Sequence, residues 1–425
     1  MKGTKYIGAW IRDAYRIFVH EMRLIFSDAG VMVIFFVGGL LYPVLYNLIY
    51  SHGTVDDMPV AVVDNSGGAY SRRYLEKVDA TRECEILIYC ASMPEAQRLM
   101  QQQKVHGIIY IPSDFDASLV RGEQGHVSTY ADMSSFLYYK CLTMGTSLVM
   151  LDEMHEIQVE RCAASGMDAQ QAYQAVQPVL SDESMPYNRP FSYTIFFISA
   201  ALLLVIQQTM FYGSSLLSGT LRERNRSFAS LPNQLQGLGI GRVLLGRGAA
   251  YFSIYLVIGT LIALLIPWFF HFPQRSEWWE VEVLLLFYIV DCIFFCFTWS
   301  TLITRRETVF VLFLSVSPMC LFLTGFSWPM TAIPPFWQKV ALVFPSTFGC
   351  RAFINLNTAG GTLETIAPEI RAMTLQTVIY YFLSFLAVFA ENKVIEHRDA
   401  LRRVRDRLDE RRGIDREEDR RIIAG

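Results

Sequence analysis

The stretch Gly30-Val-Met-Val-Ile-Phe-Phe-Val-Gly-Gly-Leu-Leu-Tyr-Pro-Val-Leu-Tyr-Asn-Leu-Ile-Tyr50 carries no charged residue from end to end. About 20 predominantly apolar residues are enough for a helix to cross a bilayer, and this run has that length. It begins behind an amphipathic segment and has no small-residue cleavage site after it, so it does not read as a cleaved signal peptide. Five more stretches share its character: Phe191 to Leu217, Gly248 to Phe270, Val281 to Ile303, Val309 to Phe326 and Thr374 to Ala390. The composition agrees. Of 425 residues, 52% are hydrophobic, 14% aromatic and only 18% charged, whereas soluble domains carry about 25% charged residues. Disorder, coiled coil and collagen are excluded. A net charge of -3 without a basic domain argues against nucleic acid as a partner. The expected fold class is an α-helical polytopic membrane protein, with six transmembrane helices and an inserted α/β extracytoplasmic domain.

Lysine and arginine in the flanks set the orientation. Lys2, Lys5, Arg12, Arg16 and Arg23 precede the first span. Arg222, Arg224, Arg226, Arg242 and Arg247 follow the second, Arg305 and Arg306 the fourth, and eleven basic residues lie between Lys393 and Arg421. The intervening turns hold only Arg275 on one side, then Lys339, Arg351 and Arg371. Both termini are therefore expected in the cytoplasm. The chain divides into a cytoplasmic amphipathic interface helix (1–28), transmembrane helix 1 (29–50), a periplasmic α/β domain (51–190), transmembrane helices 2–6 (191–391) and a charged cytoplasmic tail (392–425). A cytoplasmic loop at 218–247 and a re-entrant outer segment at 325–350 interrupt the spans.

The 51–190 insertion alternates strand and helix signals, the pattern of an α/β domain. Val60 to Asp64, Glu85 to Tyr89, Gly107 to Ile111 and Val127 to Ala131 read as strands. Helices are expected from about Ala69, over Met93 to Gln103 with Ser92 as N-cap, after Pro112-Ser113-Asp114, and from Ser134 to Ala164. Asn65-Ser66-Gly67-Gly68 fits no phosphate-loop spacing and reads as a plain strand-to-helix turn. Asp114 and Asp116 read as acids favoured by a helix dipole, in preference to metal ligands. Six-residue spacing leaves a Cys84–Cys90 disulfide open without establishing it.

No catalytic constellation, metal set or cofactor motif is apparent. H-E-x-x-H, G-x-S-x-G, C-x-x-C and the Walker A loop are all missing, and the Gly-rich run 237–248 lacks the Gly-Lys-Ser/Thr ending. Any ATP used to drive this protein is hydrolysed on another chain. Asp291 stands alone in span four, where a carboxylate costs about 2.5–3.5 kcal/mol even on lenient insertion scales. It lines a path, seals a subunit interface, hydrogen-bonds a neighbouring helix or sits nearer the outer surface. Gln207 and Gln208 in span two are read as interhelical hydrogen-bonders. From Gly325 the chain runs through Trp328-Pro329, Ile333-Pro334-Pro335 and Trp337 to Pro345, too broken for a helix and too apolar for a solvated loop. Such backbone survives at membrane depth only against protein or a wet cavity, and the segment reads as a gate or as an outer lid.

The whole resembles the permease subunit of ABC-2 type exporters, in the branch with a large periplasmic domain between the first two spans. Glu21-Met-Arg23-Leu-Ile-Phe-Ser-Asp28 is similar to the family's entry into span one. Met58-Pro-Val-Ala-Val-Val-Asp64-Asn-Ser resembles the opening strand of its external domain, and Val105-His-Gly107-Ile-Ile-Tyr-Ile-Pro112-Ser-Asp-Phe115 its G-x-I-x-I-P-x-x-F run. Gly325-Phe-Ser-Trp-Pro329, Ile333-Pro334 and Phe344-Pro345 resemble its re-entrant segment. In the cytoplasmic loop Glu223, Arg224, Ser227 and Leu231 follow the family pattern, while Arg226 and Ala229 depart from it.

The resemblance implies ATPase-coupling roles for Glu21, Arg23, Asp28, Glu223, Arg224, Ser227 and Leu231, and a translocation path or gate at Asp291, Gly325, Pro329, Pro334 and Pro345. It implies no cofactor on this chain, with ATP held by a partner ABC ATPase subunit. The other partners implied are a second permease chain (identical or a paralogue), the lipid bilayer, and an optional periplasmic adaptor with an outer-membrane channel. The expected site is the bacterial cytoplasmic membrane. The expected cargo of such an exporter is lipophilic or amphipathic, drug-like or lipid-like. The competing readings are a membrane sensor with a ligand-reading periplasmic domain, disfavoured by four further spans and no output domain, and a membrane-embedded transferase, disfavoured by scattered polar residues.

Overall fold

The computed structural model describes residues 2–50, 54–179, 193–223, 239–303 and 305–423. Two compact units emerge, one formed by Met1–Ser51 with Tyr187–Gly425, the other by His52–Pro186.

The first unit is helical. It opens with α1 (Lys2–Ser27) and α2 (Ala29–Ile49). Asp28 separates them because its Oδ1 accepts the N–H groups of Gly30 (3.0 Å) and Val31 (3.2 Å), satisfying donors that a new helix leaves free. The middle of α2, Val33–Leu41, is π-helical. Next come α3 (Tyr193–Glu223), α4 (Ile240–Phe269) and α5 (Trp278–Ser300), the last opened by a capping box between Glu277 and Glu280. After α6 (Thr308–Leu323) follow two short helices, α7 (Pro335–Ala341) and α8 (Pro345–Phe353), and then α9 (Ala367–Ile423).

Among the described residues, five helices are long and apolar enough to cross a membrane: α2, α3, α4, α5 and the part of α9 up to Val394. The apolar window of α3 is 89% buried and that of α5 67%, against 22% for α2 and α9. Thus α3 and α5 form the hub, and α2 and α9 leave most of their apolar surface uncovered by this unit. Phe35 of α2 locks into that hub, its ring 2.0 Å from where a Cβ on Gly213 would stand.

The expected fifth span, Val309 to Phe326, is shorter than predicted. α6 has 16 residues, below the length needed to cross unaided. Gly325, with φ at +86°, ends it in the left-handed conformation that glycine adopts without strain. Span three differs the other way, starting at Ile240 rather than Gly248. Arg242 and Arg247, read as loop charges, are therefore helical.

In the second unit, β1 (Met58–Asp64), β2 (Cys84–Tyr89), β3 (Gly107–Ile111) and β4 (Ser128–Ala131) form one sheet in the order β2-β1-β3-β4. The first two pairings are parallel and β3–β4 is antiparallel. Helices Ala69–Asp79, Met93–Gln101, Phe115–Val120 and Phe136–Ala164 connect or cover them. Alternate β1 residues feed opposite faces, Val60 and Val62 into one core, Ala61 and Val63 into the other, so the strand reads as continuously apolar. Asp116 does more than favour its own helix. Its carboxylate accepts Tyr70 N–H (2.7 Å), Ser71 N–H (3.3 Å) and the Ser66 hydroxyl (2.7 Å), capping the neighbouring helix that starts at Ala69. Cys84 opens β2 and Cys90 follows its last residue, both as free thiols; extended chain of that length holds them about 20 Å apart, too far for a disulfide.

Candidate coupling and gate sites

The start of α2 and the end of α3 meet at the turn between α5 and α6, through Arg306. Its Nη1 and Nη2 donate to Asp28 Oδ2 and Oδ1, both at 2.8 Å. Nη1 also donates to Thr220 Oγ1 at 3.0 Å, and the Arg306 N–H donates to Glu223 Oε1 at 2.8 Å. A bidentate fork of this kind is geometrically specific. Gly219 permits the approach, since a Cβ there would lie 2.9 Å from Arg306 N. Burial pushes the Asp28 carboxyl up, but Arg306 and the N–H groups of Val31 and Gly30 outweigh it and hold the group below the ordinary value. Next to Glu223 on α3, Arg222 Nε donates to Glu391 Oε1 of α9 at 2.9 Å.

A second tie joins α1 to α4. Arg247 Nε lies 3.1 Å from Glu21 Oε2, and both side chains are buried. Gly246 brings the helices together, because a Cβ there would stand 2.8 Å from Ile17 Cβ. Burial raises the Glu21 carboxyl, opposed by Arg247. Asp13 and Arg242 add a looser contact at 3.5 Å.

The segment after α6 is held quite differently. Pro329 precedes a single 3-10 turn, Met330–Ala332. Pro334 is the N-cap of α7, and Pro345 opens α8 at its first position, where a missing N–H is harmless. Part of the proline content therefore starts helices. Neutral side chains from the long helices bond the backbone of this segment. Gln207 Oε1 of α3 accepts Ser346 N–H at 2.6 Å. Gln376 Nε2 and Tyr380 Oη of α9 donate to Leu342 O (2.6 Å) and Val343 O (2.5 Å). Thr347 Oγ1 donates to Ala341 O at 2.6 Å, and Gln338 Nε2 to Ile333 O at 2.7 Å. α8 crosses α5 at Gly349, where a Cβ would come within 2.4 Å of the Tyr288 ring; Tyr288 Oη in turn donates to Leu203 O at 2.8 Å. An apolar hollow of about 400 Å³ lies against this segment, lined by Phe322, Leu323, Trp328, Ile333 and Trp337. Asp291 is fully buried in α5 beside Thr377 of α9.

The sequence profile of the ABC-2 family transporter proteins matches residues 30–386. The chain belongs to the ABC-2 transporter family. Among curated proteins none matches it. As a member of this family it is the multi-pass membrane component of an ABC transporter, a part that works with an ABC ATPase. In this ABC-2 protein, Asp28 and Glu223 converge on Arg306, while Glu21 pairs separately with Arg247. Arg23 is on the exposed side of α1. Arg224, Ser227 and Leu231 lie outside the described residues. Gly325, Pro329, Pro334 and Pro345 punctuate one segment, and Asp291 lies close to Tyr380, which holds that segment. The sequence reads the cations Arg247 and Arg306 as orientation charges only and not as site residues. Arg247 carried a signal, since it stands between Leu244-Leu245-Gly246 and Gly248-Ala249-Ala250 with no polar neighbour. Among the described residues no cluster of His, Cys, Asp and Glu could hold a metal ion.

Proposed function

We propose that this ABC-2 permease is half of an ATP-driven exporter for lipophilic or amphipathic molecules. It spans the bacterial cytoplasmic membrane six times, with both termini in the cytoplasm and the α/β unit in the periplasm. α6, with the segment up to Pro345, makes the fifth crossing in chain order, and α9 the sixth. A separate ATPase supplies the energy and a second permease chain, identical or a paralogue, completes the path. A periplasmic adaptor and an outer-membrane channel are optional further partners.

The observation that carries this reading is the convergence of Asp28, Thr220 and Glu223 on Arg306. A push on the loop beyond Glu223 would reach α2, α3 and the α5–α6 turn together. Glu21 and Arg247 would pass the same motion to α4. Arg224, Ser227 and Leu231 would meet the motor, with Arg23 near by. At the other site, Gly325, Pro329, Pro334 and Pro345 set the bends of a gate that shifts as a unit. Asp291 would line the path or steady α9 beside it. Switching of this sort requires contacts that differ between two states.

The test is co-purification of the full chain with an ATPase subunit, followed by ATPase and transport assays in proteoliposomes. Asp28→Asn and Glu223→Gln should leave assembly intact and lower transport per ATP hydrolysed. A chain that transports without any ATPase would overturn the reading.

A further inference from the structure

The surface of α1 is divided into three strips. With successive residues about 100° apart, Ala14, Ile17, Glu21 and Ile25 share the strip nearest α4, with the last three buried. Ile11, Tyr15, Phe18, Met22 and Phe26 form a second strip, in which Phe18 and Met22 are half-buried, Met22 against the helical core, and the others turn outward. Ile11 is 58% exposed, Tyr15 64% and Phe26 51%. Arg12, Arg16 and Arg23 form a third, all exposed. The acids of this stretch, Asp13 and Glu21, face Arg242 and Arg247 of α4 instead. The two outward strips thus hold large apolar groups and cations with no acid among them.

We infer that the outer face of α1 is a binding surface for anionic phospholipid headgroups. The apolar strip sinks into the acyl boundary, and Arg12, Arg16 and Arg23 reach along its edge to phosphates. A helix with an apolar strip flanked by arginines rests in the interface plane, and the arginine stems cover apolar surface while their heads stay at the phosphate level. Charge complementarity selects anionic over zwitterionic lipid. Each arginine contributes about a fivefold preference. The surface shares no residue with the Arg306 junction, but it rests on the reading that α1 lies at the cytoplasmic membrane face. Its consequence is that lipid headgroup charge sets the seating of α1, and through Glu21 and Arg247 the position of α4.

The experiment uses the full chain in nanodiscs of phosphatidylcholine, with and without phosphatidylglycerol. Native mass spectrometry counts the phosphatidylglycerol retained by wild type, by R12K/R16K/R23K and by R12Q/R16Q/R23Q. Retention should persist with lysine and fall with glutamine, by about fivefold for each charge removed. A bimane label on Tyr15→Cys, in a Cys162→Ser background, should be quenched by brominated acyl chains more strongly than one on Ser27→Cys. Equal retention by the glutamine variant, or an unquenched label at position 15, overturns the inference. So does a glutamine variant that keeps its lipid but loses an ATPase captured by wild type, because the face then belongs to the motor. If the glutamine variant fails to fold, lysine-variant retention and label quenching decide.

Discussion

The junction around Arg306 and Arg247 and the segment from Gly325 to Pro345 face the same physical problem. Each must hold chain ends and irregular backbone where water is scarce. The first is solved with full charges: Asp28 with Arg306, Arg222 with Glu391, Glu21 with Arg247. The second uses neutral donors and acceptors: Gln207, Gln376, Tyr380 and Thr347. The division follows from desolvation. A buried ion costs several kcal/mol before its partner offsets the loss, whereas an amide or hydroxyl costs far less. At the Arg306 junction, near helix ends, water and dipoles share the burden and the arginine fork fixes geometry, whereas the buried Glu21–Arg247 pair offsets desolvation through its own attraction. Deep among the spans only neutral groups are cheap enough to satisfy backbone. Asp291 is the exception at depth, which makes it the residue to test for transport separately from assembly.

The largest effect should come from splitting the most buried pair. Arg247→Met strands the Glu21 carboxylate and should destabilise the membrane unit by about 3–5 kcal/mol. Glu21→Leu added to Arg247→Met should restore most of it, because an apolar pair has no desolvation penalty. Thermal unfolding of the purified chain in detergent measures both. A double variant as unstable as the single would show that Arg247 does not act through Glu21.

The neutral site should respond more modestly. Gly349→Ala drives a methyl into the Tyr288 ring and should cost about 1–3 kcal/mol, relieved by Tyr288→Leu. Gln207→Leu leaves the Ser346 N–H without its acceptor, with a comparable or smaller loss of about 1–3 kcal/mol. It should not change the unfolding midpoint's dependence on salt. If salt sensitivity appears at Gln207, the contrast between charged and neutral sites fails.

Much of this was legible in sequence, for reasons that can be named. Gly107–Ile111 lies where its pattern placed it, because a strand buried on both faces must be apolar throughout. Gln207 was read as an interhelical hydrogen-bonder, and it is one, although its partner is the start of a short helix. What escaped was pairing across long separations. Asp116 caps a helix 46 residues upstream, and Arg306 meets a carboxylate 278 residues away. No local period encodes either contact. The burial of Arg247 escapes a count of flanking charges, because such a count registers charge alone. Pro345 was read as a breaker, although at the first position of a helix the same ring is a starter. A span was overcounted in length because hydropathy continues past Gly325, where backbone conformation ends the helix.

The smallest effect, and the most diagnostic of the charged junction, is its pH dependence. The Asp28 carboxyl is held below its ordinary value of 3.8 in the folded chain. A depressed carboxyl contributes stability that is complete above the unfolded value and lost as pH falls through the folded one. Arg306 is over a third exposed, so solvent screening keeps the ion pair's contribution to about 1 kcal/mol or less. Asp28→Asn removes the ionisable group while keeping an oxygen for the Gly30 and Val31 N–H groups. Wild type should therefore unfold at higher temperature than Asp28→Asn near neutral pH, and the gap should close below about pH 4. Raising salt should shrink the gap as well. A gap unchanged into acid would mean that Asp28 acts as an N-cap alone, and that Arg306 holds the turn through Thr220 and Glu223 without it.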